Sequence, residues 1–181
     1  MFKKRFEQGC MLVLGGAKSG KSSFALNVCN SLNKKRIFLA TAQAFDKEME
    51  ERIRRHQAER DGGWRTVEEP LKVAETIGSL DSEDTIILLD CLTLWLNNLH
   101  MEHGEDKEAI NEAIENLARQ LADIRGGIVI VSNEVGMGIV PDNQLSRTYR
   151  DTAGYMNQRI ARLSGKVVAV LAGLPLVLKD A

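Results

Sequence analysis

Cysteine is scarce in this sequence. The three that occur, Cys10, Cys29 and Cys91, are an odd number without a C-x-x-C pair, and each lies in or beside an apolar run. That argues against a disulfide framework or a cysteine zinc site and predicts buried, reduced thiols in a cytoplasmic protein. Charge of one sign is also lacking: 24 Lys and Arg stand against 25 Asp and Glu, a formal net charge of −1, with aromatics at 5%. The chain therefore offers neither the basic field nor the stacking surface that nucleic acid needs, and no field for an anionic membrane. No segment approaches the roughly 20 consecutive apolar residues of a membrane span. The basic start, "MFKKRFEQGCMLVLGG", has an apolar run only from Cys10 to Leu14 before glycines intervene, which is not a signal peptide. Internal repeats, low-complexity tracts and linkers are missing as well. With 181 residues there is room for one full-sized core, hence a single domain.

What the chain does have is alternation. Short apolar runs, "CMLVLG", "RIFLAT", "TIILLD", "GIVIVSNE" and "KVVAVLAG", are separated by longer stretches of helical period, with "WRTVEE" and "PLVLKD" as further strand candidates. This is the pattern of an α/β fold, a mostly parallel central sheet flanked by helices, whose strands are buried on both faces. Apolar residues spaced by three and four predict amphipathic helices over residues 106–124 (Ile110, Ile114, Leu117, Leu121, Ile124) and 143–163 (Leu145, Tyr149, Met156, Ile160, Leu163). The second helix also carries a polar stripe, Arg147, Arg150, Gly154, Asn157 and Arg162, which reads most simply as a solvated face.

Directly after the first strand stands "GGAKSGKSS". Gly15, Gly16, Ala17, Lys18, Ser19, Gly20, Lys21 and Ser22 complete G-x-x-x-x-G-K-[ST], followed at once by a helical pattern, which is the context a phosphate-binding loop requires. Glycines let backbone N–H groups point at phosphate oxygens, and the helix adds its positive end. Lys21 should reach the β and γ phosphates, and the Ser22 hydroxyl should bind Mg²⁺. Asp90 ends "TIILLD" at the carboxyl tip of a buried strand, where open α/β sheets bind ligands, and is the natural second metal group. Its alternative is a helix cap for "LTLWLNNL".

Of three histidines, His100 and His103 in "LHMEHG" lack a third metal ligand of suitable spacing and read as surface residues near a helix end. His56, in "RIRRHQAER", sits in a predicted helix over residues 46–60 among Arg52, Arg54, Arg55 and Arg60. Spacing alone favours a histidine at the edge of the core. Four arginines near a nucleotide site instead suit phosphate handling, because guanidinium forks match phosphate oxygens. A neutral imidazole there could attack an α-phosphate, and neighbouring positive charge favours the neutral form.

Taken together, "LVLGGAKSGKSSFAL", "FLATAQAFDKEMEERIRRHQAERDGGWRTVEEP", "ILLDCLTLWLNNL" and "VSNEVGMGIVPDNQLSRTYRDTAGYMNQRIA" resemble the bifunctional adenosylcobinamide kinase / adenosylcobinamide-phosphate guanylyltransferase family of cobalamin biosynthesis. The resemblance runs from about Cys10 to Lys179. It implies a P-loop NTPase fold of RecA-like type over residues 10–181, with residues 1–9 an extension. It also implies two reactions: phosphorylation of the aminopropanol hydroxyl of adenosylcobinamide by ATP or GTP, and transfer of GMP from GTP to adenosylcobinamide phosphate through a guanylylated histidine. The family histidine falls on His56. Carried over in the same way, Gly15 to Ser22 bind nucleotide phosphates, Ala40, Thr41 and Ala42 lie on the nucleotide site, and Gln57, Ala58, Glu59, Arg60, Glu68 and Asp90 contact GTP. A homo-oligomer is implied too. For the corrinoid side, Glu134 and Arg147 beside "SNEVGMGIVP" are the candidates. Two rival readings are a kinase with a structural His56, and a RecA-like ATPase acting on nucleic acid or a partner protein.

Overall fold

The computed structural model describes residues 6–43, 51 and 62–181. Apart from Glu51, the helix expected over residues 46–60, His56 included, lies outside them. Among the described residues seven strands form one sheet: β1 (Gly9–Gly15), β2 (Lys35–Ala40), β3 (Trp64–Glu68), β4 (Thr85–Asp90), β5 (Gly127–Asn133), β6 (Lys166–Leu171) and β7 (Leu174–Asp180). Their order is β3-β2-β4-β5-β1-β6-β7. The first six run parallel, and β7 returns antiparallel to β6. Among the described residues five helices connect them: α1 (Lys21–Asn30), α2 (Val73–Leu80), α3 (Leu92–His103), α4 (Lys107–Ala122) and α5 (Gln144–Leu163).

Alternate residues of each central strand serve opposite faces, so both must be apolar. Cys10, Leu12, Ile87, Leu89, Ile128 and Ile130 pack under α2, α3, α4 and α5, with Trp95, Ile114, Leu117, Met156 and Ile160 from the helices. Met11, Val13, Ile86, Leu88, Val129 and Val131 form the second core against Ala25 and Cys29 of α1. The cysteines are buried and free, as expected. Burial pushes the Cys10 thiol up to about 11 and the Cys29 thiol up to about 12.

The helices predicted over residues 106–124 and 143–163 fall where the spacing put them. Asp106 caps α4 by accepting from the Glu108 and Ala109 amides at 3.1 and 3.0 Å, and Asn143 caps α5 through Ser146 N–H at 2.8 Å. Two positions depart from the pattern. Leu145, expected on the apolar face of α5, is 67% exposed in its first turn. Asn157, read as part of a solvated stripe, is buried at 5% because Ser132 and Asn133 of β5 supply its partners.

The last two strands close on the phosphate loop. Ala172 and Gly173, at φ 51° and 80°, make the tight turn between β6 and β7, and Gly173 N–H donates to Ser19 O at 2.9 Å. The buried Lys166 ammonium pairs with Asp180 at 3.2 Å, fixing the far end of β7. Among the described residues this edge strand is otherwise uncovered: Leu174, Leu176 and Leu178 are 72%, 55% and 58% exposed.

Candidate active site

The phosphate loop is built by packing as well as by backbone freedom. A side chain at Gly15 would overlap Ser19 and come within 2.7 Å of the Val170 carbonyl of β6, so only glycine fits there. Gly20 enters α1 at φ 93°, a left-handed conformation that favours glycine, and Lys18 is left-handed too at φ 54°. No side chain caps α1, and no acidic residue occupies its first turn. The positive end of the helix thus faces the loop with no carboxylate in its own first turn, which is the arrangement an anion needs. Ser19 Oγ is buried with no hydrogen-bond partner among the described residues. Lys21 is 7% exposed, and its ammonium donates to Gly16 O at 3.1 Å, directing the charge back over the loop.

Three of the other expected nucleotide residues, Ala40, Glu68 and Asp90, arrive from neighbouring strands in one row. Ala40, the last residue of β2, is in register with Glu68 of β3 on one side and with Asp90 of β4 on the other. Adjacent strands lie about 4.8 Å apart, so residues distant in sequence meet along the carboxyl edge of the sheet. On β1 and β5 the same edge carries Gly15 opposite Asn133, and Glu134 N–H donates to Gly15 O at 3.1 Å. Asp90 does not cap α3: the cap position belongs to Cys91, and no side chain bonds there. Asp90 is instead the last residue of β4, one position before that cap. Burial raises the Cys91 thiol, the Asp90 charge raises it further, and Lys21 opposes this, which puts both charges within electrostatic reach of that one residue. Ala42 follows Thr41 at the edge, half-buried. Gln57, Ala58, Glu59 and Arg60 fall, with His56, outside the described residues.

Beneath the edge lies a polar layer that the sequence pattern did not reveal. Asn133 Nδ2 donates to the Thr93 hydroxyl, at 2.6 Å, and Tyr149 OH donates to the Thr93 carbonyl at 2.7 Å. Burial pushes the Tyr149 phenol up to about 12, so it remains a donor. Asn157 donates to Asn133 O at 3.1 Å and accepts from Ser132 Oγ at 2.7 Å. The layer ties α3 and α5 to each other and to the tip of β5, and buried amides and hydroxyls are tolerated because each finds a partner. Polar residues closing "GIVIVSNE" at the tip of a buried strand were the signal that could have marked Asn133. His100 also departs from a plain surface residue. It is half-buried, its ring 5.8 Å from that of Tyr149, with Nε2 buried and unpartnered among the described residues, and burial lowers its pKa. No group of three or more His, Cys, Asp or Glu able to hold a metal occurs among the described residues.

On the expected corrinoid side, Arg147 donates to the carbonyls of Pro141 and Asp142 at 3.0 and 2.6 Å. It thereby fastens the loop after β5 to α5. Glu134 accepts from Gly136 N–H at 2.8 Å within the same loop. That loop exposes Met137, Ile139 and Val140.

Comparison with known proteins gives the family and the fold. Residues 11–178 match the model of a family described as cobinamide kinase / cobinamide phosphate guanyltransferase. The chain is 44% identical over 168 residues to the bifunctional adenosylcobalamin biosynthesis protein CobP of Pseudomonas aeruginosa, covering 93% of this chain and 96% of that one. It is 36% identical over 180 residues to the bifunctional adenosylcobalamin biosynthesis protein CobU of Escherichia coli, covering 93% and 99%. Among solved structures, a prototypical ATPase of the bacterial type III secretion system aligns with a TM-score of 0.58 at 12% identity, over 93% of this chain and 56% of that one. The flagellar accessory protein FlaH of Methanocaldococcus jannaschii aligns at 0.56 and 12%, over 97% and 80%. At such identities these structures speak for the fold alone, a RecA-like P-loop NTPase.

Proposed function

The chain belongs to the cobinamide kinase / cobinamide phosphate guanyltransferase family, and from that membership we propose that it carries out both reactions at the carboxyl edge of this sheet. In the first, the γ-phosphate of ATP or GTP passes to the aminopropanol hydroxyl of adenosylcobinamide. In the second, His56 takes GMP from GTP with release of pyrophosphate and hands it to adenosylcobinamide phosphate, giving adenosylcobinamide-GDP. The observation that carries the reading is the meeting of the phosphate loop, with its buried Lys21, and the register row Glu68–Ala40–Asp90 at one edge.

Lys21 neutralises charge on the β and γ phosphates, and Gly15 to Ser22 hold the triphosphate through loop N–H groups and the end of α1. The Ser22 hydroxyl and Asp90 carboxylate are hard oxygen donors suited to Mg²⁺. Two protein ligands suffice because phosphates and water supply the rest of such a shell. When bound, Mg²⁺ would lower the cost of charge building on the phosphate oxygens. His56, Gln57, Ala58, Glu59 and Arg60 enter this proposal from the family resemblance. A plain kinase would use the same loop without needing the four arginines around His56. A RecA-like motor on nucleic acid would need a basic surface that a net charge of −1 does not provide. The reading is tested by incubating the protein with adenosylcobinamide, GTP and Mg²⁺ and separating the products. Adenosylcobinamide phosphate followed by adenosylcobinamide-GDP is expected, and accumulation of the phosphate alone would reduce the protein to a kinase.

We also propose a cytoplasmic homo-oligomer, with β7 at the subunit interface. An edge strand with three exposed leucines and an open row of backbone groups is a surface that soluble proteins normally cover. Leu176→Lys is expected to lower the molar mass measured by light scattering to that of the monomer. An unchanged mass in this variant and in Leu178→Lys would move the interface elsewhere.

A further inference from the structure

Thr41 was expected among the nucleotide-contacting residues, yet the structure commits all of its polar atoms inward. The residue is fully buried. Its hydroxyl accepts from Cys91 N–H at 2.9 Å and donates to Cys91 O at 2.8 Å. Its own N–H donates to Asp90 O at 3.3 Å, and its carbonyl accepts from Asn98 Nδ2 at 2.8 Å. Asn98 in turn donates to Pro70 O at 3.0 Å, tying the same point to the segment after β3. Four bonds therefore run from one residue, three of them to Asp90 and Cys91.

We infer that Thr41 is a positioning residue for Asp90: its hydroxyl clamps the backbone on which the carboxylate is carried and so fixes where that carboxylate meets the nucleotide-bound metal. The inference rests on the role proposed above for Asp90. The physical case is one of rigidity. Asp90 sits where β4 gives way to α3, and a strand tip leaving its ladder is free to swing unless something holds the departing chain. A hydroxyl that serves as donor and acceptor to one residue constrains both its position and its orientation. The same clamp satisfies a buried N–H that would otherwise be left without a partner at Cys91. Groups that orient metal ligands through hydrogen bonds typically cost 10- to 100-fold in metal affinity when removed.

The test uses the full chain with GTP and Mn²⁺, reading bound Mn²⁺ by electron paramagnetic resonance and GTP binding separately in EDTA. Thr41→Val keeps the shape and removes the hydroxyl. It is expected to weaken Mn²⁺ binding to the GTP complex by about tenfold or more while leaving metal-free GTP binding as it was. Thr41→Ser, which retains the hydroxyl, is expected to restore the affinity. Asp90→Asn should weaken Mn²⁺ binding by itself, and adding Thr41→Val to it should change nothing further, since the clamp acts only through that carboxylate. Multiplying effects in the double variant, or an equal loss of metal-free GTP binding in Thr41→Val, would overturn the positioning role and leave Asp90 as assigned. Unchanged Mn²⁺ binding in Asp90→Asn would overturn the assignment of Asp90 and this inference with it. Should Thr41→Val not fold, Thr41→Cys offers similar volume with only weak thiol bonding, and the same outcomes decide.

Discussion

Lys21→Ala is expected to slow both phosphoryl and guanylyl transfer by at least about a hundredfold, the scale of removing one preorganised group from a charge-developing site. In free energy that is about 2.7 kcal/mol of transition-state stabilisation. Both reactions should suffer because both break a bond of the same triphosphate: the γ-phosphoryl leaves in one, and pyrophosphate departs in the other. In each, negative charge grows on oxygens that Lys21 is placed to meet, the ammonium being buried and turned toward Gly16 O. The fold should tolerate the change, since Lys21 is the first residue of α1 and alanine is the best helix former. Melting of the free variant near that of the unsubstituted protein, with loss of the rise that GTP confers, would separate a binding defect from a folding defect. Rates within tenfold of the original in both assays would show that the loop does not hold the reacting phosphates. Loss of the kinase alone would mean that GTP for guanylylation binds elsewhere.

Much of this arrangement was legible in the sequence, and the limits are physical. The inner strands could be read because burial on both faces forces continuous apolar runs, as in "TIILLD" and "GIVIVS". The phosphate loop could be read because close backbone approach allows few residue types at Gly15 and Gly20. The direction of β7 could not. It turns on Ala172 and Gly173, which adopt left-handed conformations without the Asn-Gly pair that usually announces such a hairpin. Nor could the polar layer be found by period, since polarity along a helix ordinarily reports solvent. Asn157 sits among arginines on α5 and reads as exposed until β5 supplies Ser132 and Asn133 beside it. Thr41 shows the limit most clearly. Family resemblance put it at the nucleotide site, while only the fold brings the residue after Asp90, fifty positions later in the chain, within reach of its hydroxyl.

His56→Ala is expected to abolish guanylyl transfer and leave phosphoryl transfer within about threefold, a split that a structural histidine would not produce. The chemistry fixes what to measure. An imidazole nitrogen attacks the α-phosphorus of GTP, a P–N bond forms, the P–O bond to pyrophosphate breaks, and the imidazole N–H proton is released. Adenosylcobinamide phosphate then attacks through a phosphate oxygen and the P–N bond breaks as the imidazole takes a proton back, returning neutral histidine. Between the steps GMP is covalently held, so GTP labelled at the α-phosphate should leave label on the denatured protein that survives alkali and is lost in acid. Label on the γ-phosphate should leave none. Two in-line displacements at one phosphorus restore its configuration, so GTP made chiral with sulfur at the α-position should yield product of retained stereochemistry, whereas direct transfer would invert it. The other two histidines offer no substitute, since His100 and His103 lie on α3 and His100 has a buried Nε2 beside Tyr149. Label persisting in His56→Ala would therefore require a different nucleophile. Inversion with normal rates would remove the covalent step, leaving the loop around Lys21 to present GTP directly to the corrinoid phosphate.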